Sequence, residues 1–155
     1  MKFETQEDID APVGHVFEML TDFETFERAA MRRGAEVRRT DGHTAPAVGV
    51  SWEARFFLRG RMRDVTLEIT RCDPPDHLAL ALASSGLTGS IAFELIALSP
   101  SRTRLLVGLE LQPHSLSARL LVQSLKLSKG AILRKYEDRI AGFVQTLSDR
   151  HDRRT

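Results

Sequence analysis

The sequence predicts an α+β fold in which a curved, seven-stranded antiparallel sheet wraps around one long C-terminal helix, with two short helices between the first and second strands. Three observations predict it. Apolar and polar residues alternate with a period of two through most of the stretch from Ala35 to Leu111, as half-buried strands require. The breaks between these runs are short and marked by Pro or Gly, leaving no room for crossover helices, so consecutive strands pair as an antiparallel meander. From Ser115 to Arg150 the chain then carries no proline and only two glycines, which predicts one long helix. A helix laid across a curved sheet commonly leaves a cavity between the two.

Phe3, Thr5 and Ile9 alternate as a first strand that stops at Ala11-Pro12, and proline suits a helix start. Val13, Val16, Phe17 and Leu20 follow the i, i+3, i+4, i+7 spacing of one buried helical face. Asp22 is placed to cap a second short helix bearing Phe23, Phe26, Ala30 and Met31, which Gly34 ends. From Ala35 the period is two. Val48, Val50, Trp52, Ala54, Phe56 and Leu58 share one face, Arg59-Gly60-Arg61 reads as a tight turn, and Val65, Leu67 and Ile69 form the apolar face of the next strand. Asp73-Pro74-Pro75-Asp76 breaks it. Leu78, Leu80 and Leu82, then Ile91, Phe93 and Leu95, then Leu105, Val107, Leu109 and Leu111 give the remaining strands, with turns at Gly86 and Ser99-Pro100-Ser101.

In the long helix, Ile132, Leu133, Tyr136, Ile140, Phe143, Val144 and Leu147 make one apolar stripe for packing on the sheet. The first half differs: Leu116, Leu120, Leu121, Val122, Leu125 and Leu127 spread around much of the circumference. A helix apolar on several sides needs several things to touch. Either the short N-terminal helices and a loop cover the extra face, or part of it lines or lids a cavity.

The 155 residues, 42% hydrophobic and 28% charged, fit one domain over 1–150 with a polar, flexible tail at 151–155. With 22 basic against 21 acidic residues and a net charge of +1, the chain lacks the global basicity of a dedicated nucleic-acid binder, so no specific nucleic-acid partner is expected. Cys72 is the single cysteine, which excludes an internal disulfide and suits a reducing compartment. The N-terminus lacks the apolar core of a signal peptide, and Leu78 to Phe93 falls short of the roughly 20 apolar residues of a spanning helix. Cytoplasm is the expected location.

Ile9-Asp10-Ala11-Pro12 followed by Val16-Phe17 and Leu20, the stretch Thr70-Arg71-Cys72-Asp73-Pro74-Pro75 before Leu78, and Phe93-Glu94-Leu95 leading through Ser99-Pro100 to Thr103-Arg104-Leu105 carry a resemblance. In their order and spacing, across Lys2 to Leu147, the chain resembles the START-like superfamily, also called SRPBCC or Bet v 1-like, whose architecture is the helix-grip fold. Within it the sequence looks most like bacterial proteins grouped as polyketide cyclase/dehydrase-like, or like the accessory subunit of carbon monoxide dehydrogenase. The resemblance implies a deep apolar pocket between sheet and helix that holds lipids, sterols or polyketides. Some members catalyse and many only carry; no catalytic constellation is shared, so function has to be argued from the site.

If the apolar strand faces point at the helix, the pocket lining comes from Trp52, Phe56, Val65, Leu67, Leu80, Phe93, Leu95, Val107 and Leu109, with Leu120 and Leu127 opposite. The strand acids Glu53, Asp64, Glu68, Glu94 and Glu110 fall by alternation on the other face, which leaves no catalytic residue to name. The five histidines are scattered without metal-ligand spacing, and no phosphate loop, nucleophile elbow or dinucleotide glycine pattern occurs, so neither metal nor cofactor is expected. His15 and His114 are expected in exposed or capping positions.

Charge placement says more than charge total. Gln112 to Tyr136 contains no acid but does contain Arg119, Lys126, Lys129, Arg134 and Lys135; Arg59, Arg61 and Arg63 flank one turn, and Arg28, Arg32 and Arg33 end the second short helix. These are either solvated surface charges balanced by neighbouring acids or, for Arg59, Arg61, Arg63, Arg119, Lys126 and Lys129, contacts for an anionic ligand head at the cavity mouth. The leading expectation is a non-catalytic binder or carrier of a lipid, fatty acid or polyketide-like molecule. A cyclase/dehydratase-type enzyme is the second, and the third is an accessory module for a larger oxidoreductase or a domain docking peripherally on anionic membrane.

Overall fold

The structure, a computed structural model, describes residues 1–127. The strands are β1 (Lys2–Ile9), β2 (Glu36–Arg39), β3 (Ser51–Leu58), β4 (Arg61–Asp73), β5 (His77–Ser84), β6 (Leu87–Ser99) and β7 (Arg102–Pro113), and the helices α1 (Val13–Leu20), α2 (Phe23–Arg32) and α3 (Leu116–Leu127). One antiparallel sheet takes the order β1-β7-β6-β5-β4-β3-β2. This is the predicted meander with β1 returning beside β7, Phe3 opposite Leu109 and Ile9 opposite Thr103. Of the predicted long helix, α3 is the described portion; the stripe from Ile132 to Leu147, the tail at 151–155 and Lys129 lie outside the described residues.

Register fixes the faces. Trp52 pairs with Leu67, Leu67 with Leu82, Leu80 with Ile91, Phe93 with Val107 and Leu95 with Leu105, so the alternate apolar residues of five strands share one inner face. α1 covers one end of it. Val16, Phe17, Met19 and Leu20 join Ile9, Val50, Trp52, Ile69, Leu78, Leu95, Leu105 and Val107 in a single buried cluster, each large side chain contributing about 1.5–3 kcal/mol by leaving water. Thr103 is fully buried there, its hydroxyl donating to the Ala11 carbonyl at 2.8 Å, which ties β7 to the β1–α1 junction.

Local chemistry sets the ends of the elements. Pro12 stands at the N-cap of α1. Asp22 occupies the N-cap of α2 but makes no side-chain cap bond; its carboxylate accepts from the Thr25 hydroxyl at 2.8 Å instead. The β3–β4 turn holds Arg59 and Gly60 at φ 52° and 83°, both positive as a two-residue type I′ hairpin demands. Ser115 caps α3, its Oγ accepting from Ala118 N at 3.1 Å.

Three expectations are corrected. Val48 is not in β3: Gly49, at φ 97°, turns the chain just before the strand, and Val48 is exposed. α2 buries none of its residues, and Phe26 and Met31 remain exposed, because this helix rests on the edge strand β2 rather than over the sheet centre. His15 is half-buried, with its Nε2 shielded from solvent.

Candidate ligand-binding site

The inner face divides into two regions of different burial. At the α1 end it is sealed, whereas Phe56, Val65, Leu67, Leu80, Leu82, Ile91, Phe93 and Leu109 are only half-buried. These eight are neighbours by register across β3 to β7, and together they form a continuous apolar floor. Six of them are among the lining residues expected from sequence, namely Phe56, Val65, Leu67, Leu80, Phe93 and Leu109. The other strand residues expected there, Trp52, Leu95 and Val107, belong to the sealed core; Trp52 meets Phe23 edge-on at 5.0 Å between ring centroids.

Leu120 and Leu127 do not face the floor. They stand 60% and 91% exposed, while Ala118 and Val122 form the buried side of α3. The cause is the way α3 is seated. His114 N donates to the Gly86 carbonyl at 2.6 Å, its Nε2 lies 2.7 Å from Thr88 Oγ1, and Ser115 abuts Gly86 so closely that a Cβ there would stand 2.8 Å from the Ser115 Cβ. With the first turn held this close to the β5–β6 turn, Ala118 and Val122 face inward, and Leu116, Leu120 and Leu127 face outward.

The cations separate by pairing. Lys2, Arg28, Arg38, Arg39, Arg55, Arg71, Arg102 and Arg104 all have a carboxylate partner. Arg59, Arg61, Arg63, Arg119 and Lys126 make no ion pair among the described residues. Arg61 and Arg63 lie opposite Leu58 and Phe56 and so share the inner face with the floor. Arg63 is half-buried and spends its Nε on the Leu58 carbonyl at 3.0 Å, which leaves the rest of the guanidinium for another acceptor. Arg59 sits in the turn itself, and Arg119 and Lys126 are exposed on α3.

Two polar residues of the inner face were not among the expected lining residues. Thr5 and Glu7 share the β1 face of Phe3 and Ile9; the Thr5 hydroxyl is buried without a hydrogen-bond partner among the described residues, and Glu7, opposite Leu105, is half-buried. The signal was the alternation of β1 itself, which puts Glu7 in line with two core residues. The five strand acids read as outward are exposed, with Glu53 paired to Arg38 and Asp64 to Arg55. A groove of about 600 Å³ follows this outer face past Arg38, Glu53, Arg55, Asp64 and Thr66; its charges neutralise one another and suit no apolar ligand. Among the described residues no cluster of His, Cys, Asp or Glu could hold a metal ion, and no helix is long and apolar enough to cross a membrane.

No protein-family profile matches the chain, and no curated protein matches its sequence. Solved structures do match its shape. A START superfamily protein from Mycobacterium smegmatis superposes with a TM-score of 0.68 at 13% identity, covering 94% of this chain and 98% of its own. A protein from Arthrobacter aurescens gives 0.64 at 16% identity over 96% and 86%, and the Zhui aromatase/cyclase from Streptomyces sp. R1128 gives 0.62 at 15% over 86% and 89%. Likeness at these identities speaks for the fold alone: the chain has the START-like, α+β fold.

Proposed function

We propose that this chain binds or carries a hydrophobic small molecule with an anionic head, of the lipid, fatty-acid or polyketide-like class, on the apolar floor of the sheet. The observation that carries the reading is the uneven burial of one face: its α1 end is sealed, while eight contiguous apolar residues at the other end stay half-buried. Apolar surface left in that state gains about 25 cal/mol per Å² when a ligand removes it from water. Arg61 and Arg63, on the same face and without carboxylate partners among the described residues, are the contacts for the head.

Native mass spectrometry of the purified protein, followed by organic extraction, tests the reading directly, and comparison of a fatty acid with its methyl ester tests the head contact. The acid binds more tightly than the ester, and Arg63→Ala removes the difference. Equal affinity of acid and ester would eliminate the anionic head; absence of binding to any amphiphile would eliminate the ligand.

Glu7 and Thr5 favour a second reading, a cyclase/dehydratase-type enzyme in which the Glu7 carboxylate moves a proton on a chain folded against the floor. One of the structural neighbours is named as an aromatase/cyclase, which shares fold only. Glu7→Gln separates the two readings, since it abolishes turnover of a poly-β-ketone substrate in an enzyme and leaves affinity unchanged in a carrier.

A further inference from the structure

From the outer side of α3 we infer a docking surface for an anionic phospholipid bilayer. The inference does not depend on what the sheet floor holds. Leu116, Leu120 and Leu127, at i, i+4 and i+11, lie on one side of the helix and are 73%, 60% and 91% exposed. That side is opposite the buried Ala118 and Val122, so folding within the described residues leaves it uncovered. Arg119 and Lys126, seven residues apart, run along one edge of the stripe, exposed and without ion pairs among the described residues. A leucine stripe edged by cations is the pattern of a helix lying in the plane of a bilayer, with acyl chains taking the leucines and lipid headgroups the cations.

The β3–β4 tip repeats this combination at the same end of the sheet. Phe57 and Met62, opposite each other in register, are 66% and 45% exposed beside Arg59 and Arg61. Val65, four residues from the tip, pairs with Ser84, close to the Gly86 turn on which α3 is seated.

Charge decides between possible occupants. No acid occurs from Gln112 to Tyr136, so a second copy laid symmetrically on this stripe would set Arg119 and Lys126 against like charges without relief. An anionic lipid surface supplies the missing opposite charge.

The test is sedimentation of the full chain with vesicles of phosphatidylcholine alone and of phosphatidylcholine mixed with phosphatidylserine. The chain pellets with the mixed vesicles, little with the neutral ones, and is released by salt. L116S/L120S weakens partitioning on the order of tenfold or more, because two leucines no longer leave water, and R119Q/K126Q weakens it about fivefold per cation. All four positions are exposed, so circular dichroism stays that of the parent. Failure of the parent chain to pellet, or variants that pellet like it, would overturn the inference. So would a concentration-dependent dimer in sedimentation velocity that L116S/L120S dissolves, since the stripe would then belong to a second copy. Fatty-acid binding is read on the same samples: its absence in the parent would remove the proposed ligand and leave the docking surface standing.

Discussion

Gly86 is where the seating of α3 can be broken with one methyl group. Its φ of +68° lies in the left-handed region, which costs a residue bearing a Cβ about 1–2 kcal/mol. The added Cβ would also stand 2.8 Å from the Ser115 Cβ and closer to its Oγ, the atom that caps α3 through Ala118 N. Displacing that cap costs about 1 kcal/mol more. Gly86→Ala is therefore expected to destabilise by about 2–3 kcal/mol, lowering the urea midpoint by about 1 M. Trp52, the only tryptophan and 7% exposed, reports the transition by fluorescence. Ser115→Gly removes the obstructing hydroxymethyl while glycine remains an adequate cap, at a few tenths of a kcal/mol. The double variant G86A/S115G then retains only the backbone strain and regains about 1 kcal/mol over G86A. A G86A protein within about 0.5 kcal/mol of the parent, or strict additivity in the cycle, would refute the contact.

Three further outcomes follow from individual contacts. Thr103→Val keeps the shape but withdraws the buried donor from the Ala11 carbonyl, for a loss of about 1–3 kcal/mol in chemical denaturation. Asp41 is held well below the ordinary carboxylate range, first by the Arg39 guanidinium and then by the Ser51 and His43 backbone N–H groups, against the opposing effect of burial. A depressed folded pKa gives stability that is present above the unfolded value of about 4 and is lost as pH falls below it; Asp41→Asn therefore lowers stability at neutral pH and flattens the acid limb of a pH titration of unfolding. Arg59, at φ 52° in the β3–β4 turn, gives way to a residue that tolerates the left-handed region, so Arg59→Asn gains up to about 1 kcal/mol in thermal or urea unfolding.

The sheet was legible because its signal is redundant. Alternation over five strands leaves only one way to bury Leu67, Leu80, Phe93 and Leu105 together, since a one-residue slip would turn every side chain to the other face. Val48 escaped because a turn at Gly49 breaks the strand where the alternation continues in sequence. The apolar floor that the proposed site would use was legible for the same reason as the sheet, although Trp52, Leu95 and Val107 read no differently from Leu67 or Phe93. Which residues are sealed and which half-buried depends on where α1 rests, and no local pattern encodes that. In α3 the difficulty is physical degeneracy: leucines on several sides give the helix no unique buried face. Its rotation is set by the close seating of Ser115 on Gly86, which favours Ala118 and Val122 inward although the leucines are larger. Glu7 was missed although its alternation is plain.

Among the described residues, the groups left without a partner are not scattered. Most described cations are matched by acids of their own or neighbouring segments, Glu53 and Asp64 of the outer face among them. The unmatched ones, apart from Arg32 and Arg33 at the end of α2, are Arg59, Arg61 and Arg63 at the β3–β4 tip and Arg119 and Lys126 on α3. The half-buried apolar residues are likewise grouped: α1 rests on β6 and β7, α2 on β2 and α3 on β7, while Phe56, Val65, Leu67, Leu80, Leu82, Ile91, Phe93 and Leu109 adjoin one another across β3 to β7 and keep part of their surface. At the β3–β4 tip the two kinds of group stand together on the inner face, Arg61 and Arg63 beside Phe56 and Val65, which is the pairing that the proposed amphiphile would use.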